Sequence, residues 1–131
     1  MDLLGSNNML MLERSMDFLW TKQTAILDNI ANVETPNYKG KYVTFEETLR
    51  QRLEAVNPHG DNDRAVADYR SALTGTLPVV KLTDDESFRM DGNNVNATEQ
   101  SVELARTAYQ LQFVYQSISS EISVLRSAIR G

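Results

Sequence analysis

Two long heptad patterns, one at each end of the 131-residue chain, constrain the fold more than any other feature. Alternate steps of four and three residues from Gly5 give a nearly unbroken apolar line: Met9, Leu12, Met16, Leu19, Gln23, Ile26, Ile30 and Val33. The same steps from Leu104 give a line without any polar interruption: Ala108, Leu111, Tyr115, Ile118, Ile122, Leu125 and Ile129. A seven-residue apolar repeat is typical of a helix that packs along its length on another helix. The sequence therefore predicts two long terminal helices.

Both predicted helices have recognisable ends. Ser6 has the side chain of an N-cap residue, and Pro36 ends the first helix because it disfavours the helical conformation of Thr35. Asn96 followed by Glu99 resembles a capping box, which places the start of the second helix one residue after the asparagine. At about 1.5 Å per residue, the two helices would be about 40 Å and about 50 Å long.

The middle of the chain connects these helices and has a different composition and a weaker apolar periodicity. A Thr-x-x-Glu box at Thr44 and Glu47 predicts a short helix over the residues that follow. Residues 57–78 are polar and rich in turn-forming residues, so they are predicted to form a mobile loop. Residues 79–82 are predicted to form a short strand, and the Asp91-Gly92 turn signal predicts a small β-hairpin over residues 88–95.

The predicted fold is therefore mainly α, with the two terminal helices pairing as an antiparallel coiled coil. Residues 1–35 are expected to form the N-terminal coiled-coil helix, and residues 97–131 the C-terminal one. Residues 36–96 are expected to form the connection, which contains a turn, the short helix, the mobile loop and the small hairpin.

Further apolar residues lie off the two heptad lines, among them Met11, Phe18, Trp20, Leu27, Phe113, Val114 and Val124. A lone pair of helices would leave much of this surface in water, and exposed apolar area on that scale usually marks an interaction surface. We therefore expect neighbouring molecules to cover it, since the middle is polar. The alternative is that the middle of the chain folds back over the two helices.

Composition and charge exclude several classes of function. The formal net charge of −5 argues against general binding to nucleic acid, which needs a basic surface. The chain has no cysteine, which excludes disulfides, thiolate metal sites and a cysteine nucleophile. The apolar runs are too short to cross a bilayer, and the N-terminal residues lack the features of a cleaved secretory signal.

No arrangement of residues for catalysis or cofactor binding stands out. The one histidine, His59, lies in a polar Pro-His-Gly turn and has no partner nucleophile at a recognisable spacing. The acidic clusters at residues 61–63 and 84–86 lack the spacing of a calcium-binding EF-hand, and no phosphate-binding glycine loop occurs. The chain is therefore predicted not to be an enzyme and to bind no cofactor or metal.

The stretch NIANVETPNYK, residues 29–39, resembles the N-terminal signature of the bacterial flagellar basal-body rod proteins. That signature is a helix ending in an Asn-x-Ala-Asn run and followed by Thr-Pro-Gly-Tyr-Lys, and these residues match it: Asn29, Ala31, Asn32, Thr35, Pro36, Tyr38 and Lys39. Asn37 stands where the family usually has glycine, and asparagine tolerates the positive φ that a type II turn needs there. Residues 88–96 and the C-terminal VLRSAIRG are most similar to the proximal-rod subunit, the one nearest the membrane ring.

The resemblance implies a structural subunit that self-assembles through its terminal helices into the torque-transmitting proximal rod. The assembly seam would consist of the two apolar lines, in particular Leu12, Met16, Leu19, Ile26, Ile30, Leu104, Leu111, Tyr115, Ile118, Ile122, Leu125 and Ile129. The resemblance also implies export without cleavage by the flagellar type III apparatus, to the basal body in the periplasmic space. The implied partners are copies of the chain, other rod proteins, the rod-base adapter protein and the membrane ring, with no nucleic acid and no small-molecule substrate.

Other classes of protein share parts of this pattern. A cytoplasmic export chaperone or coiled-coil adaptor would share the helices and the acidity, but it would have no reason to carry the Thr-Pro-Asn-Tyr-Lys break. A wall hydrolase working with the rod would need an acidic pair or metal ligands, for which the sequence shows no candidate. Within the family, another rod subunit is the nearest alternative.

Overall fold

The computed structural model describes residues 7–55, 62–84 and 89–131 of the chain. In this part of the chain the elements follow one another as α1 (Asn7–Ala31), β1 (Lys41–Thr44), α2 (Glu46–Glu54), α3 (Asn62–Gly75), β2 (Val79–Leu82) and α4 (Ala97–Arg130). The terminal helices α1 and α4 are the longest, with 25 and 34 residues. Within these ranges, no helix has the length and hydrophobicity required to cross a membrane.

The second long helix, α4, begins and ends where its sequence predicts. The side chain of Asn96 accepts a hydrogen bond of 3.2 Å from the backbone N–H of Glu99. This bond satisfies one of the N–H groups that the first turn of a helix leaves without a partner. Arg130 lies in the last turn, where a cation interacts favourably with the helix dipole. The predicted N-cap of α1, Ser6, lies outside the described residues.

The helices α1 and α4 lie side by side and antiparallel, as predicted. Two contacts fix their relative direction: Nζ of Lys22 lies 3.4 Å from Oε2 of Glu103, and Nδ2 of Asn29 donates to Oε1 of Gln100 at 2.9 Å. Residue numbers therefore rise along α1 while they fall along α4.

The core lies where the middle of the chain packs onto this pair of helices. Its buried side chains come from both terminal helices and from the connection: Phe18, Leu19, Phe45, Leu49, Leu73 and Val114. The rings of Phe18 and Phe45 stack with their centroids 5.2 Å apart, a spacing that aromatic pairs favour. The middle therefore does fold back, and it covers Phe18 and Val114. Trp20, Leu27 and Phe113 remain exposed.

The prediction of a loop over residues 57–78 is wrong for the helix α3, Asn62–Gly75. This helix docks on α1, because Nη2 of Arg14 donates to the carbonyl of Thr74 at 3.4 Å and Leu73 enters the core. Short helices draw most of their stability from such packing, so the weak helical pattern of this segment was a poor guide. The lone histidine, His59, lies outside the described residues.

The predicted strand over residues 79–82 is confirmed, whereas residues 89–95 contain no strand of the small hairpin predicted over residues 88–95. β2 pairs with β1 in an antiparallel ladder in which Lys41 lies opposite Leu82 and Thr44 lies opposite Val79. Gly92 has a φ of 77°, so a turn does form at the Asp91-Gly92 signal without a strand pair around it among the described residues. The small sheet thus joins two distant parts of the connection.

Candidate functional site

The predicted motif forms a polar junction at the end of α1, with Asn29 at its centre. This side chain is only 1% exposed. Its Nδ2 donates to the carbonyl of Lys41 at 2.8 Å and to Oε1 of Gln100 at 2.9 Å. Its Oδ1 accepts from the backbone N–H of Lys41 at 2.7 Å and from the hydroxyl of Tyr38 at 3.2 Å. Two donated and two accepted bonds satisfy the buried amide, which avoids the penalty for burying a polar group.

A second buried asparagine, Asn93, binds the turn that follows α1. Its Nδ2 lies 2.9 Å, 3.1 Å and 2.8 Å from the carbonyl oxygens of Asn32, Val33 and Thr35. Its Oδ1 accepts from the backbone N–H of Val95 at 2.8 Å. These carbonyl groups lie in the turn after Ala31, outside any helix or strand, so a side chain from the segment before α4 supplies their hydrogen bonds.

Sequence reasoning did not single out Asn93 as a site residue. The carbonyl groups that it binds lie 58 to 61 positions earlier in the chain, so no local pattern connects them. The one available signal was the pair Asn93-Asn94 directly after the Asp-Gly turn. Asn94 also takes part, since its Oδ1 accepts from the backbone N–H of Gly40 at 2.7 Å.

The turn after α1 has the conformation predicted for Asn37. This residue has a φ of 61°, and the N–H of Tyr38 donates to the carbonyl of Thr35 at 3.3 Å. Proline at the second position and a positive φ at the third are the features of a type II turn. The N–H of Asn37 also donates to the carbonyl of Asp91 at 2.7 Å, which holds this turn against the turn before α4.

The other motif residues shape the end of α1 or tie it to its neighbours. Nδ2 of Asn32 donates to the carbonyl of Asp28 at 2.8 Å, and Oδ1 of Asn32 accepts from the hydroxyl of Thr35 at 3.1 Å. Nζ of Lys39 donates to the carbonyl of Gly92 at 2.7 Å. Ala31 is the last residue of α1 and is exposed. The junction therefore joins the end of α1 to both neighbouring segments.

Two titratable groups of the junction have shifted pKa values. Burial raises the pKa of the Tyr38 hydroxyl, and the positive charge of Lys41 partly offsets this effect. The hydrogen bond from Nζ of Lys41 to Oδ2 of Asp28, 3.0 Å long, raises the pKa of Lys41. Both groups therefore hold their protons more tightly in the folded protein than in an unfolded chain.

The predicted assembly residues divide into two groups by exposure. Nine of them are buried or half-buried: Leu12, Met16, Leu19, Ile26, Ile30, Leu104, Leu111, Ile118 and Leu125. Tyr115, Ile122 and Ile129 are exposed by 65%, 44% and 80%. Because these three are seven residues apart, they form one line along α4. The buried positions of α4 are Thr107 and Val114, so the packed face combines these two residues with Leu111 and Ile118 of the predicted seam.

Four exposed apolar side chains lie on one side of the α1–α4 pair. Trp20 of α1 and Tyr115 of α4 flank a shallow groove between the two helices. Leu27 and Ile122 extend this surface at either end, because each lies seven residues from one of the two aromatic residues. All four side chains are exposed. We call these four residues, Trp20, Leu27, Tyr115 and Ile122, the ridge.

A mainly apolar groove with a larger volume, about 700 Å³ against about 390 Å³, lies on the other side of the pair. We define the groove by five of its lining residues: Met11, Phe18, Phe45, Leu49 and Phe113. Phe18 of the groove and Trp20 of the ridge are two positions apart. At about 100° per residue, their side chains leave α1 in nearly opposite directions. The helix pair therefore has one apolar surface on each side.

Three similar proteins from different bacteria share the description flagellar basal body rod protein FlgB. The protein of Bacillus subtilis (strain 168) is 31% identical over 126 residues, which cover 92% of this chain and 91% of the relative. The protein of Borrelia hermsii is 36% identical over 92 residues, 63% of this chain and 66% of its own. The protein of Escherichia coli (strain K12) is 23% identical over 119 residues, 84% and 83% of the two chains. No protein-family model matches the chain.

The similarity to the Bacillus protein extends over nearly the whole of both chains, so it is not confined to a shared heptad pattern. The resemblance that rests on the Thr-Pro-Asn-Tyr-Lys motif is thereby confirmed. Nothing among these relatives supports an export chaperone. The chain therefore belongs to the FlgB family of flagellar basal body rod proteins, which are structural proteins of the flagellar basal body.

Proposed function

We propose that this protein is a subunit of the proximal rod that self-assembles through α1 and α4 into the shaft that transmits motor torque. The observation that carries the proposal is the line of Tyr115, Ile122 and Ile129, which stays exposed although α1 and α4 are paired. Contiguous apolar surface of this kind is rare on proteins that act alone and marks interaction sites. The role that follows is structural and not catalytic.

The polar junction supports this role because a shaft needs stiff subunits. Close-packed side chains resist shear, and the hydrogen bonds of Asn29 and Asn93 connect the end of α1 with β1 and with the start of α4. A fully satisfied buried network specifies one arrangement of the elements that it joins. We propose that the junction fixes the path of the chain out of the helix pair and so serves the geometry of assembly.

The place of action and the partners follow from membership of the family. We propose export without cleavage by the flagellar type III apparatus and assembly in the periplasmic space. The proposed partners are further copies of the chain, other rod proteins, the rod-base adapter protein and the membrane ring. The names of the relatives support the basal body as the location.

The proposal is tested by substituting lysine at positions 122 and 129, in cells of a motile strain that carry the variant as their only copy of the gene. The double variant Ile122→Lys/Ile129→Lys is expected to be exported but to leave the rod unassembled and the cells non-motile. Both side chains are exposed, so the fold of the subunit is retained. Ile118 is left unchanged because it packs against the core.

The matched control is Ser120→Lys/Ser127→Lys, which places two lysines on the same helix at the same spacing of seven and at exposed positions. This variant is expected to assemble and to support motility. Motility in cells that carry the isoleucine variant would contradict the proposal.

A further inference from the structure

We propose that the ridge and the groove are the two halves of one contact between copies of this chain, so that the ridge of one copy docks in the groove of the next. This inference rests on the proposed function, because it assumes that copies of the chain pack on one another. To the proposed function it adds which two surfaces of neighbouring copies are in contact and that these two surfaces are different.

The exposed side chains themselves fit a subunit with two contact surfaces. Trp20 and Tyr115 of the ridge are exposed by 58% and 65%, and Phe113 at the edge of the groove is exposed by 69%. Exposed apolar side chains that lie close together usually mark an interaction surface.

The chemistry of the two surfaces is complementary. Trp20 and Tyr115 are large apolar side chains that each carry one polar group, an indole N–H and a phenol hydroxyl, which need hydrogen-bond partners when buried. The lining of the groove is apolar but includes the side chains of Ser15, Glu54 and Gln110, which can accept such bonds. The groove therefore offers both an apolar floor and acceptors to the aromatic residues of a neighbouring ridge.

The placement of the two surfaces decides the symmetry of the contact. A ridge that docked on a second ridge would form a closed twofold dimer and would leave both grooves empty. Ridge and groove lie on opposite sides of the helix pair, so each copy can hold one neighbour on each side. A repeated contact between two different surfaces propagates into a ring or an open helix, as a shaft requires.

Two variants of the full-length chain separate the two surfaces. Trp20→Glu/Tyr115→Glu disables the ridge and leaves the groove intact, whereas Met11→Glu/Phe113→Glu disables the groove and leaves the ridge intact. All four side chains are exposed in the folded subunit, so the core is untouched. Circular dichroism checks that both variants retain the helical content of the unchanged protein.

Light scattering after size exclusion gives the readout. The unchanged protein is expected to associate beyond a dimer as its concentration rises, whereas each variant alone is expected to stay at the monomer mass of 14.8 kDa. An equimolar mixture of the two variants is expected to form a dimer of twice that mass and nothing larger, because one intact ridge and one intact groove remain. Val79→Glu/Leu82→Glu, which changes two exposed apolar residues of β2, is expected to associate like the unchanged protein.

Three results would overturn the proposal: a mixture that stays monomeric, a single variant that still associates, or an unchanged protein that is monomeric up to its solubility limit. Loss of association in the β2 variant would also overturn it, since the effect would then follow from added charge alone. A non-motile Ile122→Lys/Ile129→Lys strain combined with a monomeric mixture would leave the proposed function standing and remove only the pairing of ridge with groove.

Cross-linking gives a second readout, because the chain contains no cysteine. One copy carries Gln112→Cys beside the ridge, and the other carries Arg50→Cys beside the groove. A short bismaleimide is expected to link the two copies, and the link is expected to disappear when the first copy also carries Trp20→Glu/Tyr115→Glu. Links of equal yield with and without the ridge substitutions would contradict the pairing.

Discussion

The side-chain amide of Asn29 donates a hydrogen bond of 2.9 Å to Oε1 of Gln100, 71 positions later in the chain. This bond joins the end of α1 to the first turn of α4. The same side chain also forms hydrogen bonds with the backbone N–H and the carbonyl of Lys41 at the start of β1. One buried side chain thus orients three elements, so position 29 is expected to tolerate few substitutions.

Asn29→Ala is expected to lower the free energy of unfolding by about 2–3 kcal/mol, because it leaves several buried polar groups without a partner. Urea denaturation followed by circular dichroism measures the change. Asn8→Ala, at an exposed position of the same helix, is the control and is expected to stay within about 0.5 kcal/mol of the unchanged protein. Equal effects of the two substitutions would show that the junction contributes little.

At position 93, aspartate is expected to be more harmful than alanine at neutral pH. Asn93→Asp retains an acceptor for the N–H of Val95, but it loses the N–H donors and places a negative charge against the carbonyl oxygens of the turn after α1. Each variant is expected to lose at least about 1 kcal/mol of stability. The deficit of the aspartate variant should shrink as its carboxyl group becomes protonated at low pH. A deficit that does not depend on pH would contradict this explanation.

Gly92→Ala and Gly75→Ala are expected to differ in their effect on stability. A Cβ at position 92 would lie 2.6 Å from Oδ1 of Asn37, on a backbone with a φ of 77°. The left-handed conformation alone costs about 1–2 kcal/mol for a residue with a side chain. At position 75 the nearest atom, also at 2.6 Å, is the mobile end of the Arg52 side chain, and φ is not positive. Thermal unfolding should show a clear loss only for Gly92→Ala.

Thr107→Val is expected to stabilise the protein by about 1 kcal/mol. Thr107 is fully buried in α4, and its hydroxyl has no hydrogen-bond partner within the described part of the chain. Valine has nearly the same shape, so the substitution removes an unsatisfied polar group without leaving a cavity. Thr24→Val, at an exposed position where the hydroxyl bonds the carbonyl of Trp20, is the control and should give no gain. A loss of stability in Thr107→Val would refute the prediction.

Because of Tyr38, the stability of the junction is expected to depend on pH in the alkaline range. The pKa of its hydroxyl is raised in the folded protein by burial, so the unfolded chain loses this proton first. The contribution of Tyr38 is therefore complete below its ordinary pKa of about 10 and is lost as pH rises through the higher folded value. Lys41, whose pKa is also raised, acts in the same direction.

The prediction is checked by comparing unfolding curves of the unchanged protein and of Tyr38→Phe between neutral pH and strongly alkaline pH. The difference in unfolding free energy between the two should be constant at neutral pH and should shrink in the alkaline range. A difference that grows with pH would mean that the folded state favours the ionised tyrosine.

Local signals were enough to predict both ends of α4 and the turn between α1 and β1. The cap formed by Asn96 and the positive φ at Asn37 each depend on a few neighbouring residues, and both occur in the structure. The helix α1 ends at Ala31, ahead of the stop predicted at Pro36. Heptad spacing likewise predicted that α1 and α4 would pair. It predicted only part of the buried face of α4, because Leu111 and Ile118 pack against the core as expected but Val114, which lies off the heptad line, joins Phe45 and Leu49 in it.

The sequence by itself therefore determined the helix pair, the turn and the family, since periodicity, caps and a continuous motif are read from adjacent positions. Only the tertiary structure decided that residues 62–75 form a helix, that β2 pairs with β1, and that Asn93 binds the turn after α1. These features depend on contacts between residues that lie tens of positions apart in the sequence. Such contacts stabilise the protein only after folding has brought the residues together. The ridge and the groove were likewise decided by the tertiary structure, because each is formed by side chains from different helices and segments.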